Sequence, residues 1–116
     1  MKRCKIQIGE TLIADNITVA DSFVSRLVGL LRHKQLAVNE GMLIIPCSQV
    51  HTFGMKFNID VLFLTQNNQI VAIEQKMTPG KMSKIVKNSH HVLELRAGAT
   101  SQFGLHIGNQ LEIVSI

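Results

Sequence analysis

Apolar and polar positions alternate along Lys5 to Val19, with Ile6 and Ile8, then Leu12 to Ala14, then Ile17 and Val19 on the apolar side. A period of two predicts short half-buried strands, and Gly9-Glu10 and Asp15-Asn16 supply the turns of a hairpin or meander. The period then lengthens. Asp21 or Ser22 can cap a helix in which Phe23, Leu27, Leu30 and Leu31 fall at i, i+4, i+7 and i+8, so residues 22–33 are expected to form one helix with a buried stripe. Asn39 to Gly41 closes that helix, and Met42 to Ile45 reads as a short buried strand stopped by Pro46.

From Cys47 to Asn58 the periodicity is lost, which predicts a loop on a short tether. Ile59 to Leu64 and Ile70 to Ile73 flank Gln66-Asn67-Asn68-Gln69, where either Asn can take the positive φ of a tight hairpin. Met77 to Ser89 is polar, carries Pro79-Gly80 and shows no period. His91 to Leu95 alternates again, Gly98 to Leu105 has room for a helical turn, and Gly108-Asn109 leads into a last strand from Gln110 to Ser115. The pattern is α+β and mostly β, without repeats or linkers.

A chain of 116 residues, 46% of them hydrophobic, suits one domain with one continuous core. With five Phe, no Trp and no Tyr, that core is aliphatic, and a carbohydrate- or base-stacking surface is not expected. Twelve Lys and Arg against eight Asp and Glu give a net charge of +4, a mild basicity that favours anionic partners only weakly. Cys4 and Cys47 are expected to stay reduced, because a domain of this size folds without a staple. The N-terminus lacks the apolar stretch of a signal peptide, and no run approaches the ~18 residues that span a bilayer, so membrane insertion is not expected and a cytoplasmic location is, barring a removed export segment.

Four pieces occur in order: Ser25-Arg26-Leu27-Val28-Gly29-Leu30-Leu31; Gly41-Met42-Leu43; His51-Thr52-Phe53-Gly54-Met55-Lys56 running into Ile59-Asp60-Val61; and Val92-Leu93-Glu94-Leu95 with Ala97-Gly98. Together they resemble the signature of the family known as domain of unknown function 192, over roughly residues 19–111. The resemblance implies a small, mostly β fold, a barrel-like or strongly curved mixed sheet with one principal helix. Through exported relatives and neighbouring pilus or secretion genes it also suggests an envelope-related role. It implies no activity. Gly54 stands where many relatives have Trp, the stretch from Met55 to Asp60 is shorter than theirs, and Asn109 replaces a frequent Asp.

Three constellations bear on function. Arg26 and His33 flank Gly29 on one side of the helical stripe, and Arg26 is expected to pair with Asp60 or Glu94, charges that interrupt apolar runs and are costly unless compensated. His51, Phe53, Met55 and Lys56 put a titratable ring, two apolar anchors and a cation on one irregular segment, the composition of a binding loop for a protein, peptide or small anion. Lys76, Lys81, Lys84 and Lys87 make a locally positive stretch, but without Arg or interleaved aromatics they do not form a nucleic-acid motif. His51 with Cys47, Asp60 or Glu94 is the alternative, enzymatic arrangement. Neither a phosphate loop nor a nucleophile turn is present, and Cys47 with His51 is too small a ligand set for zinc, so no cofactor or metal is expected.

Overall fold

The computed structural model describes residues 2–21 and 35–116. Among these, seven strands and one short helix follow in the order β1 (Arg3–Ile8), β2 (Thr11–Ala20), β3 (Glu40–Ile44), β4 (Ile59–Leu64), β5 (Ile70–Met77), β6 (His91–Arg96), α1 (Ala99–Gln102) and β7 (Glu112–Ser115). The helix expected at 22–33, with Arg26 and His33, lies outside the described residues. No helix among the described residues is long and apolar enough to cross a membrane.

The strands form one mixed sheet in the order β5-β4-β6-β3-β2-β1-β7. β2 and β3 are parallel and the other neighbours antiparallel. A parallel pair needs a long crossover connection, which residues 21–39 supply. β4 runs through the sheet with all six residues buried, so a continuous apolar run is what its two covered faces demand. Leu62 and Leu64 point into one cluster with Leu43, Leu93, Leu95, Ile6 and Ile17. Ile59, Val61 and Phe63 point into the other with Met42, Val92, Met55 and Met77.

Asp15-Asn16 is not a turn. β2 passes straight through it, and the turn-forming pair instead marks an irregularity in the β1–β2 register, between the partners Ile6↔Ala14 and Cys4↔Ile17. There Asn16 donates its backbone N–H to Asn39 O (2.9 Å) and the Asn39 amide donates to Asp15 Oδ1 (3.0 Å), so β2 acquires its parallel partner where its pairing with β1 slips. Gly41 in β3 is required by contact: a Cβ there would stand 2.5 Å from the Glu94 carbonyl oxygen and 2.8 Å from Ile17 Cδ1.

The expected barrel does not close. Its would-be seam joins β5 to the chain before β7 at one end only, through Ile70 N–H to Asn109 O (2.9 Å), Gly108 N–H to Ile70 O (2.8 Å) and the Gln69↔Gln110 bridge. Beyond that end α1 lies against β5, with Ser101 Oγ hydrogen-bonded to Gln75 Oε1 (3.2 Å), while Phe103, Leu105 and Leu111 pack with Ile70, Ile73 and Ile113. Side chains fill the gap that strand pairing would otherwise seal.

Asp60 fixes this arrangement. Its carboxylate, with no exposed surface, accepts the Lys76 N–H at Oδ1 and the Thr100 N–H at Oδ2, both at 2.8 Å. Lys76 stands at φ 51, where the chain slips register against β4 between Ile59 and Val61, and Thr100 opens α1. One side chain therefore satisfies the irregular end of β5 and the start of α1 together. Asp60→Ala would bury two backbone donors without acceptors and is expected to cost on the order of 3 kcal/mol, read as a lower urea midpoint. An unchanged midpoint would mean that water reaches both amides.

Candidate functional site

The segments 46–58 and 77–90, both aperiodic in sequence, are laced together into an irregular ribbon. Cys47 N–H donates to His90 O (2.9 Å), Val86 N–H to Ser48 O (2.8 Å), Ser83 N–H to Val50 O (2.9 Å), Thr52 N–H to Lys81 O (2.9 Å) and Gly80 N–H to Thr52 O (3.0 Å). The fully buried Thr52 is its pin: its hydroxyl donates to Thr78 O (2.6 Å) and accepts from Lys81 N–H (2.9 Å). Ser83 does the same work further along, accepting Val50 N–H (3.0 Å) and donating to Lys84 O (2.8 Å). Gly54 (φ 80) and Gly80 (φ 79) turn the chain where a side chain would be strained.

Side chains alternate about this ribbon. Val50, Thr52 and Met55 are buried, Met55 in the cluster beneath the sheet, whereas His51 and Phe53 face solvent. The His51 and Phe53 rings stack with centroids 5.0 Å apart and planes 22° apart, and His51 Nδ1 accepts the Phe53 N–H at 3.3 Å. That bond places the hydrogen of the neutral ring on Nε2. Met82 is the bridge partner of His51, so its side chain emerges beside the imidazole. Phe53, Met82 and Ile85 are 47%, 60% and 71% exposed, and Lys56, Lys81, Lys84 and Lys87 are exposed along the same two segments.

Of the residues expected at a site, the structure thus gathers His51 and Phe53 at the surface, keeps Lys56 exposed and uses Met55 as a buried anchor. Arg26 lies outside the described residues. Its two proposed counter-charges occupy opposite faces of the sheet: Asp60 aligns with Leu95, whereas Glu94 sits between Met42 and Val61 on the other side. Asp60 is answered by backbone amides. Glu94 is 4% exposed with no hydrogen bond or ion pair among the described residues, and burial pushes its carboxyl up to about 7.

The enzymatic arrangement finds no support in these contacts. Among the described residues His51 contacts Phe53 and pairs with Met82; the Cys47 thiol donates to Gln49 O (3.1 Å), and both carboxyls are buried. Burial raises the Cys4 thiol to about 11, far from a nucleophilic value. Among the described residues no three His, Cys, Asp or Glu side chains converge as metal ligands.

A second polar group escaped the sequence reading. Cys47 opens onto a shallow cavity of about 400 Å³ lined by Pro46, Cys47, Ser48, Gln49, Ser89 and His90. Behind it runs a relay in which His90 Nδ1 meets His91 Nδ1 (2.9 Å) and His91 Nε2 meets Asn68 Oδ1 (2.6 Å). With Asn68 accepting, His91 carries its hydrogen on Nε2 and receives that of His90 on Nδ1. Burial, and then the charge of His90, hold His91 below its ordinary value. The adjacent His90-His91 pair was the only signal in the sequence, and Asn68 had been read solely as a turn residue, which its φ of 70 also makes it.

An open mostly β sheet bearing a laced surface ribbon defines a small single-module class of protein, with its distinctive chemistry in side chains outside the strands. The chain belongs to the family of domain of unknown function 192, described as an uncharacterised ACR, whose pattern matches residues 4–113. No curated protein matches it. A "putative transcription regulator" from Sinorhizobium meliloti 1021 shares its fold at 23% identity and TM-score 0.82, over 97% of this chain and 92% of that one. A protein of unknown function from Novosphingobium aromaticivorans DSM 12444 does so at 16% identity and TM-score 0.82, over 95% and 83%.

Glu94 makes a test by pH. A carboxyl whose folded value is raised favours the fold when protonated, so its contribution is full below the unfolded value near 4.5 and is lost as pH rises through about 7. The difference between the parent and Glu94→Gln isolates this carboxyl from His91, whose depressed value acts in the opposite sense. From pH 5 to pH 8 the parent should lose on the order of 3 kcal/mol relative to the variant, measured by denaturant unfolding. A constant difference would show a carboxylate charged and compensated throughout, the behaviour expected of a pair with Arg26.

Proposed function

We propose that this protein is a non-enzymatic binding module that engages a protein or peptide through the ribbon of residues 51–56 and 77–90. One observation carries the reading: Phe53 and Met82 flank His51 in solvent on a backbone that is pinned from within by Thr52 and Ser83. Exposed large apolar side chains mean little when scattered, but held together on a pre-formed support they bind without first paying an ordering cost. Phe53 and Met82 act as anchors, His51 supplies an Nε2–H donor between them, and Lys56 lies at the rim.

The description of the Sinorhizobium protein brings a nucleic-acid reading into view. Against it, the ribbon has one exposed aromatic ring and no Arg, and Lys alone gives sequence-independent attraction. The apolar anchors favour a protein partner. The family resemblance adds a setting, the cell envelope with its pilus or secretion machinery, in which such an accessory module would act.

The test is a pull-down from the native cells with the parent and with Phe53→Ser/Met82→Ser. The double variant should lose the partner, with a melting temperature within about two degrees of the parent because both side chains are already in water. A partner retained by the double variant would move the contact surface elsewhere. His51→Ala should weaken binding less, by about 1 kcal/mol, the scale of one hydrogen bond.

A further inference from the structure

Acidic side chains are unevenly placed along this chain. None of its eight Asp and Glu falls between residues 41 and 59 or between 75 and 93, so the whole ribbon is free of acidic side chains. Lys56, Lys81, Lys84 and Lys87 are all exposed on it. Of the eight, Asp60 and Glu94 are buried, Glu74 is exposed on β5 just before the ribbon, and Glu10, Asp15, Asp21, Glu40 and Glu112 belong to β1, β2, β3, β7 and their flanks. Lys2 is paired there with Asp21 (3.0 Å), whereas no ion pair among the described residues involves a ribbon lysine.

Four exposed lysines with no ion pair among the described residues, on the same two segments as the apolar anchors Phe53, Met82 and Ile85, make a surface of two kinds at once. We propose that its partner is an acidic segment of another protein that carries at least one large apolar side chain. The proposal rests on the reading of the ribbon as a contact surface and specifies what fits it. Apolar anchors seat on Phe53 and Met82, while Asp or Glu side chains meet the lysines around them. At the rim such charges act mainly on encounter rate and partner choice and are screened by salt; the apolar contact holds the complex. A nucleic acid would satisfy the lysines and leave the anchors without a match. A purely apolar partner would leave the lysines uncompensated.

The probe is a displayed library of random peptides, selected on the immobilised protein and counter-selected on the Phe53→Ser/Met82→Ser variant. The expected winners are net acidic with a large apolar residue. They should lose about tenfold in affinity between low and high salt, and about tenfold on Lys56→Gln/Lys81→Gln/Lys84→Gln, whose exposed side chains carry no part of the fold. Winners without acidic bias, indifferent to the lysine variant, would overturn the proposal and leave the contact surface standing. A library that yields nothing dependent on Phe53 and Met82 would overturn the surface itself. Two further outcomes also sink the proposal: tighter binding of a random single-stranded oligonucleotide at physiological salt, and self-association that the same substitutions disperse, which would make a second copy the occupant.

Discussion

A single carboxylate with no access to water, that of Asp60, holds two stretches of backbone that lie sixteen and forty residues away in the chain. Without it the irregular end of β5 would lack an acceptor, and α1 would keep the Ser101–Gln75 bond but lose its buried tie to β4. The open seam between β5 and β7 is filled by side chains from the turn after α1, so the packing of one cluster depends on where that turn is tethered. Two bonds from backbone donors offset the cost of burying this carboxylate. Glu94, on the opposite face, has no hydrogen bond or ion pair among the described residues, and burial raises its carboxyl to about 7.

The surface ribbon shows the same economy on a smaller scale. Thr52 and Ser83 point inward, and their hydroxyls add bonds to nearby backbone that supplement an irregular set of backbone pairings between the two segments. Regular pairing would have placed the ribbon in the sheet. Irregular pairing leaves it outside, with its alternate side chains in solvent. Gly54 belongs to the same arrangement: its left-handed backbone, which a bulky ring seldom takes, sets the local path of the loop.

How much of this could be read beforehand depends on where the signal resides. Ile59 to Leu64 announced itself because a doubly covered strand is apolar at nearly every position, Asp60 being the exception, and Asn68 because the hairpin needs a residue that accepts positive φ. The extension of β5 through Glu74, Gln75 and Lys76 left no trace, since an edge strand in water has no apolar period to display. Asp15-Asn16 misled because the residues that favour turns also favour an irregularity within a strand. The partners of Asp60 among the described residues are amide groups, which every sequence contains everywhere, while Arg26, the partner expected for Asp60 or Glu94, lies outside those residues. At the site, His51 and Phe53 stood out by composition. Thr52 and Met82 did not, because an inward hydroxyl and an outward thioether reverse the usual code in which polar residues face out.

The pairing of β1 with β7 carries a consequence for synthesis. Gln7 meets Glu112 across 105 residues of chain, and until those late residues emerge one edge of β1 presents unpaired backbone donors and acceptors. On a ribosome adding several residues each second, that edge stays open for many seconds, during which β2 can already have closed the other side. The interval is a window for mispairing between nascent chains. It places the burden of fidelity on the order in which the polypeptide is delivered, as much as on the stability of the finished domain.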